Sequence, residues 1–432
     1  MRQIWSILYG AIVIPLLWLL IRVAALFKGK VRRGIRGRRN LFQDLKIQTS
    51  SFRSAEKSRS SARRVWFHSS SLGEFEQAKP IIAELKRRRP DLSIIVSFFS
   101  PSGYDHSRNF RLADVITYIP FDSRRSARKF VELLQPHAAV MVRYDVWPNH
   151  IWALKKIGVP TFIANATMSL SSPRYLPFSR SFHRAVYNEI DYILTVTEQD
   201  VQAFRKFRLT HPLLAAIGDT RYDQVWQRSE ESKLRHILPH ELIEKRKILV
   251  AGSSWDSDEE VLIPALARLT REDPKFLTIL VPHEPTLENI ERIERELNGK
   301  LSSIRFADLH DYTAQNVIII DSVGILMALY QYAIIAYVGG SFSEGVHNVL
   351  EPAVYGRPVL FGPQYRYSQE AGELVREGAA FVATDEDELY RHVHMLLSDS
   401  SLRTQTGLRA KAFVERNTGA TQRFLSYLEK VL

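Results

Sequence analysis

Short apolar runs alternate with amphipathic stretches along most of this chain, and that alternation sets the expected fold. Between residues 64 and 218 the runs are "VWFHS", "LSIIVSFF", "VITYIPF", "AAVMVRY", "PTFIANA", "YILTVT" and "LLAAIG". They are apolar at nearly every position rather than every second one, which predicts strands covered on both faces. Helical patterns such as "EQAKPIIAELKRRR", "SARKFVELLQ" and "HIWALKKI" separate them, so βαβ units in a parallel sheet are expected. A second cycle begins at "RKILVAGSS" and runs through "FLTILVPH", "VIIID", "IIAYVGGS", "PVLFGP" and "AAFVATD", and two further helices, "LRTQTGLRAKAFVERN" and "ATQRFLSYLEKVL", close it. The fold class read from this pattern is α/β, two doubly wound Rossmann-like domains with a ligand cleft expected between them.

The amino terminus follows a different pattern. From Ile4 to Ile21, "IWSILYGAIVIPLLWLLI" carries no charge, and with "VAALF" after Arg22 it is long enough to cross a bilayer core of about 30 Å. Bulky residues follow instead of a small-residue cleavage site, so an uncleaved anchor is expected. The run "KGKVRRGIRGRRN", residues 28–40, has only positive charges and predicts a cytoplasmic body by the positive-inside rule. Pro15 and Arg22 leave a helix lying in the interface as the alternative. The expected organisation is an anchor at 1–27, a basic juxtamembrane segment and linker at 28–63, a first domain at 64–218, a linker at 219–245, and a second domain with closing helices at 246–432.

Composition narrows the chemistry. The net charge of +12 implies an acidic partner, whether nucleic acid, anionic membrane lipid or a phosphorylated substrate. Absence of cysteine excludes disulfides, thiolate metal sites and cysteine nucleophiles. Neither half carries the dinucleotide glycine fingerprint or a P-loop lysine, histidines lack metal spacing, and no metal site or cofactor is expected.

Two stretches carry candidate chemistry. In "VWFHSSSLGEFEQAKP", Glu74 stands where a strand gives way to a helix, a position that suits either an electrostatic cap or a general base. In "YVGGSFSEGVHNVLEPAVYGRPVLFGP", residues 337–363, glycines at a strand end and a helix start suit an anionic or sugar-nucleotide ligand.

Together these residues resemble the 3-deoxy-D-manno-oct-2-ulosonic acid (Kdo) transferase family, GT-B glycosyltransferases that move Kdo from CMP-Kdo onto the lipid A precursor. The resemblance is carried by "HSSSLGE" at 68–74, similar to HAASVGE, by "DVWPN" at 145–149, similar to ELWPN, and by "GGSFSEGVHNVLEPAVYGRPVLFGP" at 339–363. "NATMS" at 165–169, "AGSSWDSDEE" at 251–260, "VPHEP" at 281–285 and "DSVGIL" at 321–326 add to it. It implies an acceptor-binding first domain, a CMP-sugar-binding second domain, and Glu74 as catalytic base. It further implies acceptor contacts at Ser71, Gly73, Arg143 and Asp145. For the CMP donor it implies Ser253, His283, Val323, Gly324, Gly339, Gly340, Ser341, Asn348 and Glu351, with backbone N–H groups of Gly339, Gly340 and Ser341 at the phosphate. Asp145 replaces a glutamate of the family pattern, and Thr167 replaces an arginine.

The implied partners are the lipid A precursor, CMP-Kdo and anionic inner-membrane lipids, with no nucleic acid. Two other classes remain open at this point. A GT-B transferase using a UDP-sugar would show the same strand and helix pattern, and a membrane-tethered nucleic-acid-binding protein would also be basic.

Overall fold

Every strand pairing among the described residues is parallel. The computed structural model describes residues 2–56 and 63–432. They divide into two compact units, Met1–Gln224 with Thr418–Leu432, and Val225–Asn417.

The first unit holds a seven-stranded sheet of β1 (Arg64–Ser69), β2 (Ser93–Phe98), β3 (Val115–Tyr118), β4 (Ala138–Val142), β5 (Thr161–Ala166), β6 (Tyr192–Thr195) and β7 (Leu213–Ala216). Its order is β3-β2-β1-β4-β5-β6-β7. Side chains of a strand alternate between faces, and the core divides accordingly. Trp66 of β1 joins Ile95, Ala139, Met141 and Ile163 on one face, while Val65 and Phe67 join Ile94, Val96, Val140 and Phe162 on the other. Burial on both faces explains why these strands read as unbroken apolar runs.

The second unit repeats the plan with β8 (Lys247–Ser254), β9 (Phe276–Pro282), β10 (Ser303–Arg305), β11 (Val317–Ile319), β12 (Ile335–Val338), β13 (Val359–Phe361) and β14 (Ala380–Val382). The order is β10-β11-β9-β8-β12-β13-β14. In both sheets the connections leave the central strand in opposite directions, creating a switch point between β1 and β4 and another between β8 and β12.

Three expectations need correction. The described part of the linker expected at 28–63 is helical, over Gly29–Gly37 and Leu41–Glu56. Leu41 and Leu45, one turn apart, are buried in the core with Trp66 and Tyr118, so this polar segment is held by one apolar edge. Residues 57–62 of that expected linker lie outside the described residues. Residues 219–245 likewise contain helices Thr220–Lys233 and His240–Lys245, with Tyr222, Val225 and Leu242 buried. Finally, the last helix, Ala420–Leu428, belongs to the first unit, where Phe424, Leu425 and Leu428 enter the core beside Val65 and Phe67. Asp223 fixes that return by accepting from the N–H groups of Gly419 and Thr421.

The amino-terminal helix spans Arg2–Phe27 and has a mean hydropathy of 2.3 over its most apolar window, long and apolar enough to cross a membrane. A π-helical segment, Tyr9–Val13, lies just ahead of Pro15, whose missing N–H and ring disturb the regular ladder there. The first half of the helix packs on its own unit. Tyr9 donates to the buried Asp122 carboxylate at 2.9 Å, Trp5 donates to Ser181 at 3.0 Å, and Arg124 donates to Ser6 at 2.9 Å. Leu16, Leu19, Leu20, Leu26 and Phe27 remain exposed. The basic helix that follows sits close to the body: a Cβ on Gly37 would stand 2.6 Å from the Tyr118 ring.

If Leu41–Glu56 is structural, Leu45→Ala should destabilise the first unit by about 2–5 kcal/mol, the cost of emptying a buried leucine site. Urea unfolding in detergent, followed by tryptophan fluorescence, measures it. A change below about 0.5 kcal/mol returns the segment to the status of a linker.

Candidate functional site

Helix Leu72–Arg88 begins directly at the end of β1, and Ser71 and Glu74 form a capping box at its start. Ser71 Oγ accepts from the Glu74 N–H at 3.3 Å. In return Glu74 Oε2 accepts from the N–H groups of Ser70 at 2.6 Å and Ser71 at 3.3 Å. Both bonds use the same oxygen, and Oε1 has no hydrogen-bond partner among the described residues. The residue is only 7% exposed. Burial, then the charge of Asp145, push its pKa above the usual 4.5 despite the two backbone donors and His68. A helix-start carboxylate is ordinarily made more acidic. Here desolvation and a like charge outweigh the dipole.

An internal comparison isolates what is unusual about Glu74. Helix Asp256–Glu272 occupies the same place in the second unit, after β8, and Asp258 is its third residue as Glu74 is in the first. Asp258 is fully buried and wholly committed, accepting from Tyr337 OH at 2.7 Å, Gly340 N–H at 2.8 Å and Trp255 N–H at 2.9 Å. One position, two uses: Asp258 ties a loop to a strand end, and Glu74 keeps an oxygen in reserve.

The end of β4 brings further groups to the same switch point. His68 of β1 is completely buried, with Nε2 3.0 Å from Asp145 Oδ2 and Nδ1 2.9 Å from Ser97 Oγ. Ser97 Oγ accepts from Trp66 Nε1–H at 2.8 Å, and the Ser97 carbonyl lies 3.1 Å from the same Nδ1, so the ring is held from both ends. Trp147 Nε1–H lies 3.0 Å from His68 Nε2, so the indole meets the imidazole as well as the carboxylate. Trp147 Nε1–H lies 3.1 Å from Asp145 Oδ2 as well. A carboxylate positioned by histidine and indole therefore stands near Glu74 and raises its pKa.

Arg143 adopts φ +63°, left-handed for a residue with a long side chain, while its N–H donates to Ala164 O at 2.8 Å. Such strain is found where a side chain must be aimed. Its guanidinium has no ion pair or hydrogen bond among the described residues and lies 5.6 Å from the ring centre of exposed Tyr144. Arg174 lies 5.8 Å from the same ring. Two cations thus flank one aromatic ring beside Asp145. Gly73 is exposed, with open space where a Cβ would be.

In the second unit a cavity of about 450 Å³ lies at the β8/β12 switch point. Four expected residues line it: Ser253, Gly324, Asn348 and Glu351. Asn348 Nδ2 donates to Glu351 Oε1 at 3.1 Å, aligning amide and carboxylate on one wall. Val323, at 80% exposed, stands free next to Gly324. His283 does not line the cavity but stacks at 4.5 Å on His347, which does. Trp255 closes that stack, 4.5 Å from His283, and its indole N–H donates to His347 Nε2 at 2.8 Å.

One expectation fails at two of its three residues. The N–H of Gly339 is bonded to Gly252 O at 2.9 Å and that of Gly340 to Asp258, so neither donates to a ligand. Ser341 is fully buried, and its Oγ accepts from Gly362 N–H. These residues shape the loop instead. At Gly340, with φ +94°, a Cβ would stand 2.4 Å from Gly345 O. The helix after Asn348, Leu350–Val354, is a single short turn, with Asn348 Oδ1 accepting from Leu350 N–H.

The sequence reading gave no role to His68, Trp147, Arg174, Trp255 or His347. All but Arg174 lie inside the quoted motifs, and only the fold shows His68 and Trp147 converging on Asp145.

Two all-parallel sheets with polar groups gathered at each switch point define a protein of the GT-B fold class. The overall fold is similar to UDP-GlcNAc 2-epimerase from Neisseria meningitidis, at TM-score 0.59 and 15% identity over 85% of this chain and 100% of that one. Sequence is more specific. The model of the 3-Deoxy-D-manno-octulosonic-acid transferase (kdotransferase) family matches residues 42–224. The 3-deoxy-D-manno-octulosonic acid transferase of Aquifex aeolicus (strain VF5) is 30% identical over 338 residues, 77% of this chain and 86% of that protein. That of Haemophilus influenzae is 29% identical over 380 residues, 85% of this chain and 87% of that protein. The chain belongs to the 3-deoxy-D-manno-octulosonic acid transferase family.

Because the folded pKa of Glu74 is raised, its favourable contribution is complete below the unfolded value near 4.5 and is lost as pH rises through the folded value. Glu74→Gln keeps an acceptor for the Ser70 N–H and removes the charge. At pH 7 it should unfold at the same urea concentration as the parent or a higher one, and the decline in stability above about pH 4.5 should flatten. A loss of more than about 1 kcal/mol at pH 7 shows instead that the capping charge dominates.

Proposed function

We propose that this protein is an inverting transferase that moves Kdo from CMP-Kdo to a lipid A precursor, lipid IVA. The observation that carries the reading is the spare Oε1 of a buried, raised-pKa Glu74, set against its fully bonded counterpart Asp258. A base needs a free lone pair and a pKa drawn toward neutrality, and both are present.

In this reading Glu74 Oε1 takes the proton from an acceptor sugar hydroxyl as that oxygen attacks the anomeric carbon of Kdo. The bond from the anomeric carbon to the CMP phosphate oxygen breaks, CMP leaves with the electron pair, and the anomeric configuration inverts. The first unit binds the acceptor. Arg143 and Arg174 offer charge to its phosphates, while Asp145, held by His68 and Trp147, tunes the base. Ser71 and Gly73 frame the approach.

The second unit binds the donor. Glu351 and Asn348 suit the ribose hydroxyls, since a carboxylate accepts two hydrogen bonds at once. Val323 and Gly324 flank the cytosine, and Ser253 lies across the same cavity. The stacked Trp255, His283 and His347 supply a polar wall near the phosphate. No cofactor is invoked, and no group of three or more histidine, aspartate or glutamate side chains among the described residues is placed to hold a metal.

The body lies on the cytoplasmic face of the inner membrane. Docking of Trp5, Ser6 and Tyr9 on their own unit favours a helix held at the interface over a simple span. Exposed Arg33, Arg36 and Arg39 beside it suit anionic headgroups. This reading includes no nucleic-acid partner.

The deciding measurement is incubation with saturating CMP-Kdo and tetraacyl lipid A precursor, with added sugars counted by mass spectrometry. Folded Glu74→Gln should lose roughly a hundredfold or more in turnover. Asp145→Asn should move the acidic limb of the rate profile to lower pH, because the charge that raises the Glu74 pKa is gone. Turnover of Glu74→Gln within a few-fold of the parent removes it as the base. On the donor side, Glu351→Gln should weaken CMP binding by about 1–3 kcal/mol in calorimetry, and unchanged affinity removes Glu351 from the site.

A further inference from the structure

The first unit contains a second cavity, of about 630 Å³, within the roughly 300–1,000 Å³ range of small-molecule sites. Its lining is mostly apolar. Leu17, Trp18 and Ile21 of the amino-terminal helix form one wall, Phe42 of helix Leu41–Glu56 another, and Phe121 and Trp147 the floor. The wall made by the amino-terminal helix is fixed, because Tyr9, two turns before Leu17, is bonded to buried Asp122. Asp122 also touches the cavity, yet its carboxylate is already occupied by Tyr9 OH, the N–H groups of Asn149 and His150, and His150 Nδ1.

Trp147 belongs to two environments. Its indole N–H points to Asp145 and His68 in the candidate site, while its ring stacks on Phe99 at 4.9 Å and lines the apolar cavity. One side chain therefore separates the polar site from the apolar space. Two charged residues line the cavity, Arg38 and the already occupied Asp122. Arg38 lines it, caged by the rings of Phe99, Tyr118 and Phe121 at 4.8–5.0 Å, and gives its N–H groups to the carbonyls of Ile119, Gly34 and Phe99. It has no carboxylate partner among the described residues, and the basic helix Gly29–Gly37 adjoins it. A ligand with an apolar chain and an anionic head fits this combination.

We propose that the cavity takes one acyl chain of the acceptor glycolipid, with Trp147 as the spacer between that chain and the sugar presented to Glu74. The inference rests on the acceptor being an acylated sugar, as proposed above, and adds where its lipid part goes. A bilayer already dissolves acyl chains as well as leucine side chains do, so the cavity adds little affinity. Its contribution is registration: a chain fixed at Trp147 brings its own headgroup to the base, and a loose lipid does not. Trp147 and the cavity lining are positioning groups, not catalytic ones.

Filling the cavity from either wall tests this in the full chain in detergent. Leu17→Trp acts from the helix and Ser126→Trp from the body, where Ser126 lines the same space. Each should raise KM for the tetraacyl acceptor by tenfold or more and leave kcat/KM for the deacylated, phosphorylated disaccharide within about twofold. Equal effects on both acceptors, or none on either, overturn the proposal. A second readout needs no turnover. Acceptor with a brominated acyl chain should quench tryptophan fluorescence, and Trp18→Phe should remove part of that quenching. A phospholipid with the same brominated chain should quench several-fold less. Equal quenching by the phospholipid means that the cavity holds bilayer tails and overturns the assignment to the acceptor. If the brominated acceptor quenches but no Kdo is transferred, the cavity stands and the proposed reaction fails.

Discussion

A strand buried on both faces offers chemistry only at its end. That constraint governs both units of this protein, because every described pairing is parallel and helices cover each sheet. The usable ends lie where neighbouring connections diverge, between β1 and β4 and between β8 and β12. Glu74, His68, Arg143 and Asp145 follow from the first switch point, and Ser253, His347 and Asn348 from the second. The rest of each unit serves to hold those ends still. Buried carboxylates do much of this holding: Asp122 gathers a helix start and Tyr9, and Asp258 joins the β8 loop to the end of β12.

Capping and catalysis are often treated as rival explanations of a carboxylate at a helix start. At Glu74 the capping bonds fall on one oxygen and leave the other open to a second role. The backbone donors fix Oε2 and so fix the rotamer, which aims Oε1 without further support. The bonds that orient the group also lower its pKa, and burial with Asp145 restores what they remove. A base that is both well aimed and adequately basic requires this opposition.

The two sheets were legible because unbroken apolar runs have one ready interpretation in an α/β chain. β10 was not, since three residues, Ser303–Arg305, carry no such run. Helix Leu41–Glu56 was missed because two buried leucines hold an otherwise polar segment, a signal too thin against its serines and charges. The return of Ala420–Leu428 to the first unit depends on which core its apolar edge meets, and periodicity does not say. At the site, Glu74 was legible as a residue but not as half of a matched pair. The two helices share an acid at the third position and a proline at the ninth, Pro80 and Pro264, with little else alike around them. The backbone N–H groups of Gly339 and Gly340 were misjudged for a related reason. A glycine turn advertises free donors, and only the fold reveals that Asp258 and Gly252 have taken them.

The return of residues 418–432 to the first unit also bears on how the protein is made. About 190 residues separate Gln224 from Thr418. At roughly 5–20 residues per second, synthesis leaves the first unit without its last helix for about 10–40 s. During that interval the sheet face that Phe424, Leu425 and Leu428 cover is bare, while the second unit emerges and closes. The nascent chain therefore completes its middle before its beginning, with an apolar helix and an uncovered sheet face both waiting for shelter at the ribosome.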